Sequence, residues 1–499
     1  MRSMLVVWCV AMLATPVHAL SPPAGAPLRT ERTFEALRGP DCGRHLARAM
    51  VVASDARFEA ELPRDRQVSF LWQTANCAYQ LDRYDVAFKY ADRATALNSE
   101  IEWLQVIRLY FGTRYERADA SLDALQVLSR IAPERVREID PGVLGEVFRA
   151  ARKLDPGGDR ALAVYAALDR AQYVPAPPYF DDYLRMGRGR LLLERGRVDE
   201  ARRLLRGIVE IDSVIEMRVD RLFDPLRDDP EFESQLDVAA AAGKDVARSR
   251  AAMEAHPRSL EAVYLHAMVL KHAMRDAEGL AVVDRALARG AADPAAFDDA
   301  EEFRNWVVNV RGYFLYGLGR AEAGRAALAQ AAGLRERGHV NVSNIINLGG
   351  YLISEGRAAE VVELIPRIGE ASPYGQGWIE SIRSCAGAQL QDEKLRTTGL
   401  DYLKSHEADN PGAYSRALLC SNDLDGAAAL MIRRLSSKEQ RTDALLALQI
   451  TPSSREDELP FAGTMRSRFA ALRERADVRA AVDGVGRIER IPVPGSGGN

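Results

Sequence analysis

What most constrains this chain is a pattern it lacks. No segment shows sustained apolar-polar alternation, and no Asn-Gly or Asp-Gly pair joins two such runs. Long stretches of Ala, Leu, Arg and Glu, all good helix formers, stand in their place. Tyr84, Ala87, Phe88, Ala91, Ala94 and Leu97 recur at the 3, 4 and 7 spacing of one helix face, with Asp85, Lys89, Asp92 and Arg93 opposite. An amphipathic helix of that kind must bury its apolar side against neighbours, so the pattern predicts an all-α chain.

Of the 499 residues 47% are hydrophobic and 28% charged, enough to bury a large core, which excludes wholesale disorder. After the first twenty residues no stretch approaches the roughly 18 apolar residues that a membrane crossing needs. Lys and Arg number 67 against 71 Asp and Glu, so no global basic field recruits nucleic acid.

The N-terminus predicts export. Arg2 provides a positive start, Met4 to Ala14 an apolar run, and Val17-His18-Ala19 a small-x-small exit, which together read as a signal peptide over residues 1–19. The apolar run is too short for an uncleaved anchor. Only seven of the 67 basic residues are lysine, a bias that GC-rich coding produces, so a bacterium and its periplasm are the expected setting, with secretion as the variant.

Cys9 leaves with the signal. Cys42, Cys77, Cys385 and Cys420 remain as two couples, each 35 residues apart. An even count grouped this way in an oxidising compartment predicts two disulfides, although three connectivities exist. Cys42 opens one helix-like stretch and Cys77 nearly closes the next, so an antiparallel hairpin brings them together.

The segment Ala75 to Ser99 resembles the tetratricopeptide repeat, a helix-turn-helix unit of 34 residues. Arg83-Tyr84-Asp85-Val86-Ala87 matches the turn into its second helix. Related turns recur at Arg114 to Ala118, Gly196 to Ala201, Gly319 to Gly324 and Gly356 to Val361. In the family, small residues twelve apart let paired helices touch, and Ala75 with Ala87, Gly189 with Ala201, Gly312 with Gly324, and Gly349 with Val361 take those places. The Arg114 unit pairs Val106 with Ala118. Its turn lies 31 residues after the first, whereas its ending, Ala132-Pro133, lies 34 after Asn98-Ser99. Ser259 to Arg289 and Gly377 to Arg434 read as helical hairpins outside the consensus. The resemblance implies a right-handed superhelical solenoid of such hairpins in two blocks, 20–235 and 236–485, each owning one cysteine couple, followed by a flexible tail over 486–499. The boundary near 235 rests on the Asp-Pro-punctuated Arg221 to Phe232, whose outline recurs at Arg468 to Val478.

Signatures of catalysis are absent. No HExxH, Gly-x-Ser-x-Gly elbow, phosphate loop or dinucleotide fingerprint occurs, and the mature chain's histidines show no metal spacing. Cys42-x-x-His45 offers two ligands, too few for zinc. The expectation is a non-enzymatic scaffold or adaptor with no cofactor and no metal. The family lines its concave side with each hairpin's first helix, which assigns Trp72, Asn76 and Tyr79 to that side in one unit and Trp306, Asn309, Tyr313 and Tyr316 in another. Rings that cover apolar side chains, with amides between them to bond a backbone, suit an extended peptide, and Arg190 adds a grip for acidic groups. Aromatics at this spacing also serve as interior packing. The predicted partner is a protein or peptide of the cell envelope. The alternatives are an accessory protein guiding an envelope or secreted polysaccharide, and an enzyme with a site assembled from distant helices.

Overall fold

The computed structural model describes residues 41–493 except 56, 116, 175–178 and 337, together with Thr33, Ala36, Leu37 and Gly495. Met1 to Ala19, where the export signal is expected, lies outside the described residues. The described chain is all-α apart from one two-stranded turn, Arg335–Glu336 against His339–Val340. It divides into two units, Met1–Val174 and Pro175–Asn499.

The first unit runs α1 (Gly43–Ser54), α2 (Arg57–Glu61), α3 (Arg64–Gln80), α4 (Tyr84–Leu97), α5 (Glu102–Gly112), α6 (Ala118–Ile131), α7 (Pro133–Arg137), α8 (Pro141–Leu154) and α9 (Asp159–Ala171). The second begins with α10 (Tyr179–Glu194), α11 (Val198–Leu205), α12 (Ile211–Val219), α13 (Pro230–Gln235) and α14 (Val238–Ala255). Five hairpins follow: α15 (Leu260–His272) with α16 (Asp276–Ala292), α17 (Ala300–Gly317) with α18 (Ala321–Gly333), α19 (Val342–Ser354) with α20 (Ala358–Leu364), α21 (Pro373–Leu390) with α22 (Glu393–Ser405), and α23 (Pro411–Cys420) with α24 (Leu424–Ser436). The unit ends in α25 (Arg441–Ala447), α26 (Ala462–Glu474) and α27 (Ala476–Asp483). The hairpins are tetratricopeptide-like.

One device repeats at the hairpin turns. The second residue after the first helix takes a left-handed conformation, as at Gly319 (φ 73°) and Gly356 (φ 76°), where glycine carries no Cβ penalty. The next amide bonds back to the carbonyl five residues earlier: Arg83 to Ala78, Arg197 to Leu192, Arg275 to Leu270, Arg320 to Leu315 and Arg357 to Leu352, all at 2.8 or 2.9 Å. The recurring Gly-Arg signal is therefore a helix stop followed at once by a helix start. Arg117 makes the same bond to Gly112 at 2.8 Å, 34 residues after Arg83. This corrects the register of that unit by one turn. Ser121, not Ala118, meets the first helix, with its Oγ bonded to the Leu109 carbonyl at 3.0 Å.

The small couples do what close packing requires. A Cβ on Gly189 would lie 2.6 Å from Leu205 of its companion helix, and one on Gly312 2.7 Å from Leu328 of its own. Gly349 differs: its tightest neighbour is Ile382 of the following hairpin at 2.7 Å, with Leu364 of α20 at 3.7 Å. Helix α20 has only seven residues before a Pro366-containing turn, so α21 fills the space.

Both disulfides form between the 35-residue couples. Cys42–Cys77 ties α3 to the chain just before α1, and Cys385–Cys420 ties α21 to α23, with Cα separations of 5.9 and 5.1 Å.

The expected boundary at 235 falls inside the second unit. Phe223 and Phe232 there are fully buried, and the segment receives the end of the chain. Arg221 donates to the Val485 carbonyl (2.9 Å), Arg487 to that of Val219 (2.8 Å), and the Arg487 guanidinium grips both oxygens of Asp224 at 2.6 and 2.7 Å. Ile450 and Ile491 add a second bridge, and Ile491 is 2% exposed. Residues Gly486–Ile491, expected to start a flexible tail, are thus built in, because an ion pair and a buried isoleucine fix them.

Candidate binding site

In the first unit, α3 carries Trp72, Asn76 and Tyr79 on one face, all half-buried. Their rings are turned toward neighbouring rings. Trp72 lies edge-on to Trp103 at 6.1 Å, and Tyr79 meets Trp103, Tyr84 and Phe111 at 5.9, 5.5 and 6.3 Å. Tyr84 stacks on Phe111 at 4.9 Å. Aromatic pairs at such distances stabilise beyond simple burial, so this ladder joins α3, α4 and α5. The buried Oδ1 of Asn76 has no hydrogen-bond partner among the described residues.

The second unit aligns the first helices of successive hairpins. Trp306 on α17 lies 6.0 Å from Tyr264 on α15. Asn309 accepts a 3.3 Å hydrogen bond from Asn347 on α19, and Tyr313 stacks on Tyr351 at 5.5 Å. Tyr316 turns inward. It is 1% exposed, stacks on Tyr351 at 4.2 Å and donates to Glu355 at 2.7 Å. Of the four nominated residues, Trp306 and Tyr313 are half-buried and bridge to adjacent first helices, whereas Asn309, 2% exposed, and Tyr316 are buried in the packing between hairpins.

Arg190 sits elsewhere in the unit, on α10, where its guanidinium makes a two-pronged pair with the buried Glu216 of α12. Glu216 also accepts from Thr442 of α25 at 3.2 Å. Arg190 therefore ties α10 to α12, and Glu216 extends the link to α25 while its buried carboxylate stays paired.

The aromatic face carries polar groups that the sequence did not nominate. Lys271, at the end of α15, pairs with Asp276 (3.2 Å) and with Glu456, in the turn Arg455–Glu458. The Tyr351 hydroxyl donates to the second Glu456 oxygen at 3.1 Å. Burial, then the Glu456 charge, pushes the Tyr351 phenol well above its usual range, so it stays a donor. Arg416 on α23 reaches across to the Gly350 carbonyl of α19 at 3.5 Å, and no carboxylate pairs with it among the described residues. Burial pulls its pKa down, and the only ionisable group that opposes this is Tyr351. A half-buried guanidinium with no carboxylate beside it is a place where an anion gains a charge-assisted contact. Lys271, one of seven lysines in an arginine-rich chain, was the only advance signal of this cluster.

No family model and no curated protein matches the chain. Among solved structures, one titled "Structure of Naa15/Naa10 bound to HypK-THB" is 15% identical, covering 91% of this chain and 79% of that one, at a TM-score of 0.21. Likeness of that degree fixes neither activity nor partner. Among the described residues no helix is long and apolar enough to cross a membrane, and no group of three or more His, Cys, Asp or Glu side chains is placed to hold a metal ion.

Proposed function

We propose that this protein is a non-enzymatic helical-repeat scaffold of the bacterial periplasm that binds an extended, acid-bearing segment of an envelope protein along the first-helix face of its second unit. The observation that carries this reading is Arg416, a half-buried cation with no carboxylate partner among the described residues, on the same face as Tyr351, Tyr313 and Trp306. Rings in a row suit the apolar side chains of an extended segment, and the guanidinium suits a carboxylate. The two disulfides support an oxidising compartment.

The test is mild crosslinking and affinity capture of the full chain from the envelope of the producing cells, beside an Arg416→Gln, Trp306→Ala variant. One protein recovered in stoichiometric amount, and depleted about tenfold with the variant, supports the reading. Undiminished recovery contradicts it.

A further inference from the structure

The segment Thr451 to Phe461 touches the ends of three first helices, those of α15, α17 and α19. Glu456 meets Lys271 of α15, the Arg455 side chain passes 3.8 Å from where a Cβ on Gly319 would stand beyond α17, and the Phe461 amide bonds the Ser354 carbonyl of α19 at 2.8 Å. It is shaped locally. Ser454 accepts from the Glu456 amide at 3.2 Å, and Asp457 returns to the Ser454 amide at 2.7 Å, a capping box that presents Glu456 without help from the face it touches.

Its attachment is polar at Glu456 and apolar at its C-terminal end, where Leu459 and Phe461 pack against the core. No residue from Thr451 to Phe461 is fully buried, and the following α26 buries only Leu472. That helix keeps its own anchor, because Arg468 donates to the Leu419 and Cys420 carbonyls at 2.8 and 2.7 Å. Leu459 and Phe461 stay with the core, and Arg466 of α26 keeps hold of the Thr451 carbonyl. The part that can swing is therefore the Ser454–Glu458 turn, which gives up the Glu456 contacts to Lys271 and Tyr351. The cradle it leaves is specific: an ammonium 11% exposed, held on one side by Asp276, and a phenol donor aimed at the same point.

We infer that the Lys271–Tyr351 cradle is a receptor for a glutamate side chain in an extended acidic peptide of a partner protein, and that Glu456 is its exchangeable intramolecular occupant. The inference rests on the reading of this face given above and names the chemistry recognised there. Glu456-Asp457-Glu458-Leu459-Pro460-Phe461 shows the kind of ligand that fits, a glutamate followed five residues later by an aromatic ring. A tethered occupant acts at an effective concentration of about millimolar, so a micromolar partner must overcome about a thousandfold. Arg416, which interacts electrostatically with Tyr351 and lacks an acid, is the contact the intramolecular segment leaves unused and a second ligand carboxylate gains.

The test uses the purified full chain and a fluorescein-labelled synthetic peptide of residues Thr451 to Phe461, followed by anisotropy. The Glu456→Gln chain should bind it at least about tenfold more tightly than the unsubstituted chain, and adding Lys271→Met should abolish the gain. Equal binding by both chains, no binding by either, or a gain that survives Lys271→Met overturns the inference. Amide exchange in the unsubstituted chain is an independent check. The Glu456–Leu459 amides should exchange at least about a hundredfold faster than those of α19, and equal protection overturns it. Dimerisation with rising concentration through a swapped segment would assign the cradle to a second copy and also overturn it. Neither assay contains a partner, so their failure leaves the capture result standing, and a failed capture leaves theirs.

Discussion

Lys271 and Glu456 form an ion pair across 185 residues of sequence, with side chains 11% and 18% exposed. Lys271 also serves Asp276, so the two partners are not equivalent. Lys271→Met leaves two acids facing one another and is expected to cost about 3 kcal/mol. Glu456→Gln keeps an acceptor for Tyr351 and leaves Lys271 its other acid, and should cost about 1 kcal/mol. Urea unfolding at neutral pH separates the two, and equal losses would contradict this asymmetry.

Close approach of paired helices predicts opposite effects for similar substitutions. A Cβ on Gly279 would lie 2.1 Å from the fully buried Phe314 ring, and one on Gly312 meets Leu328 at 2.7 Å and the Gly324 carbonyl at 3.2 Å. Gly279→Ala and Gly312→Ala should each destabilise by about 1–3 kcal/mol. Gly243, inside α14 with nothing within 4 Å, should gain about 0.5–1 kcal/mol on becoming alanine. Thermal unfolding of the three variants reads the signs directly.

His266 is fully buried, with Nδ1 hydrogen-bonded to Ser249 at 2.9 Å and Nε2 unpartnered. Burial first, then the Arg250 charge, lowers its pKa from 6.5 to about 4. The unfolded chain therefore takes up the proton first. No cost exists above pH 6.5; stability falls as pH drops below it, and the loss saturates near pH 4 at about 3 kcal/mol. Glu210, which burial and then Asp212 push from 4.5 up to about 7, works in the other direction, its penalty building as pH rises above 4.5 and complete near 7. The difference in unfolding free energy between the unsubstituted chain and His266→Leu should shift by about 3 kcal/mol between pH 7 and pH 4, and a constant difference would contradict the assignment.

Each disulfide closes 35 residues and restricts the unfolded chain by about 4 kcal/mol in the loop-entropy account. Thiol labelling under denaturing, non-reducing conditions should leave Cys42, Cys77, Cys385 and Cys420 unmodified, and reduction should lower the thermal midpoint. Labelling of all four would remove both bonds.

Helices, turns and cysteine pairing were legible because local chemistry sets them: a left-handed residue then Arg stops one helix and starts the next, and a small residue at Gly312 lets the pair close. The Arg117 register was missed because Arg114-Tyr115 imitates Arg83-Tyr84, and only the Arg117–Gly112 bond settles which arginine opens the helix. The built-in Gly486–Ile491 and the Arg190–Glu216 pair were not legible, since each depends on partners in sequentially distant elements. The face around Trp306 was nominated from periodicity, but Lys271, Glu456 and Arg416 converge there from three distant parts of the chain, a meeting that no single window contains.

The most direct measurement replaces Trp306, on the first-helix face, or Glu363, exposed on α20, with the photoreactive residue benzoylphenylalanine and irradiates the full chain with its native envelope. A discrete crosslinked protein from position 306 and none from 363 is the predicted result. Crosslinking of the same partner from 363 but not from 306 would contradict binding on this face.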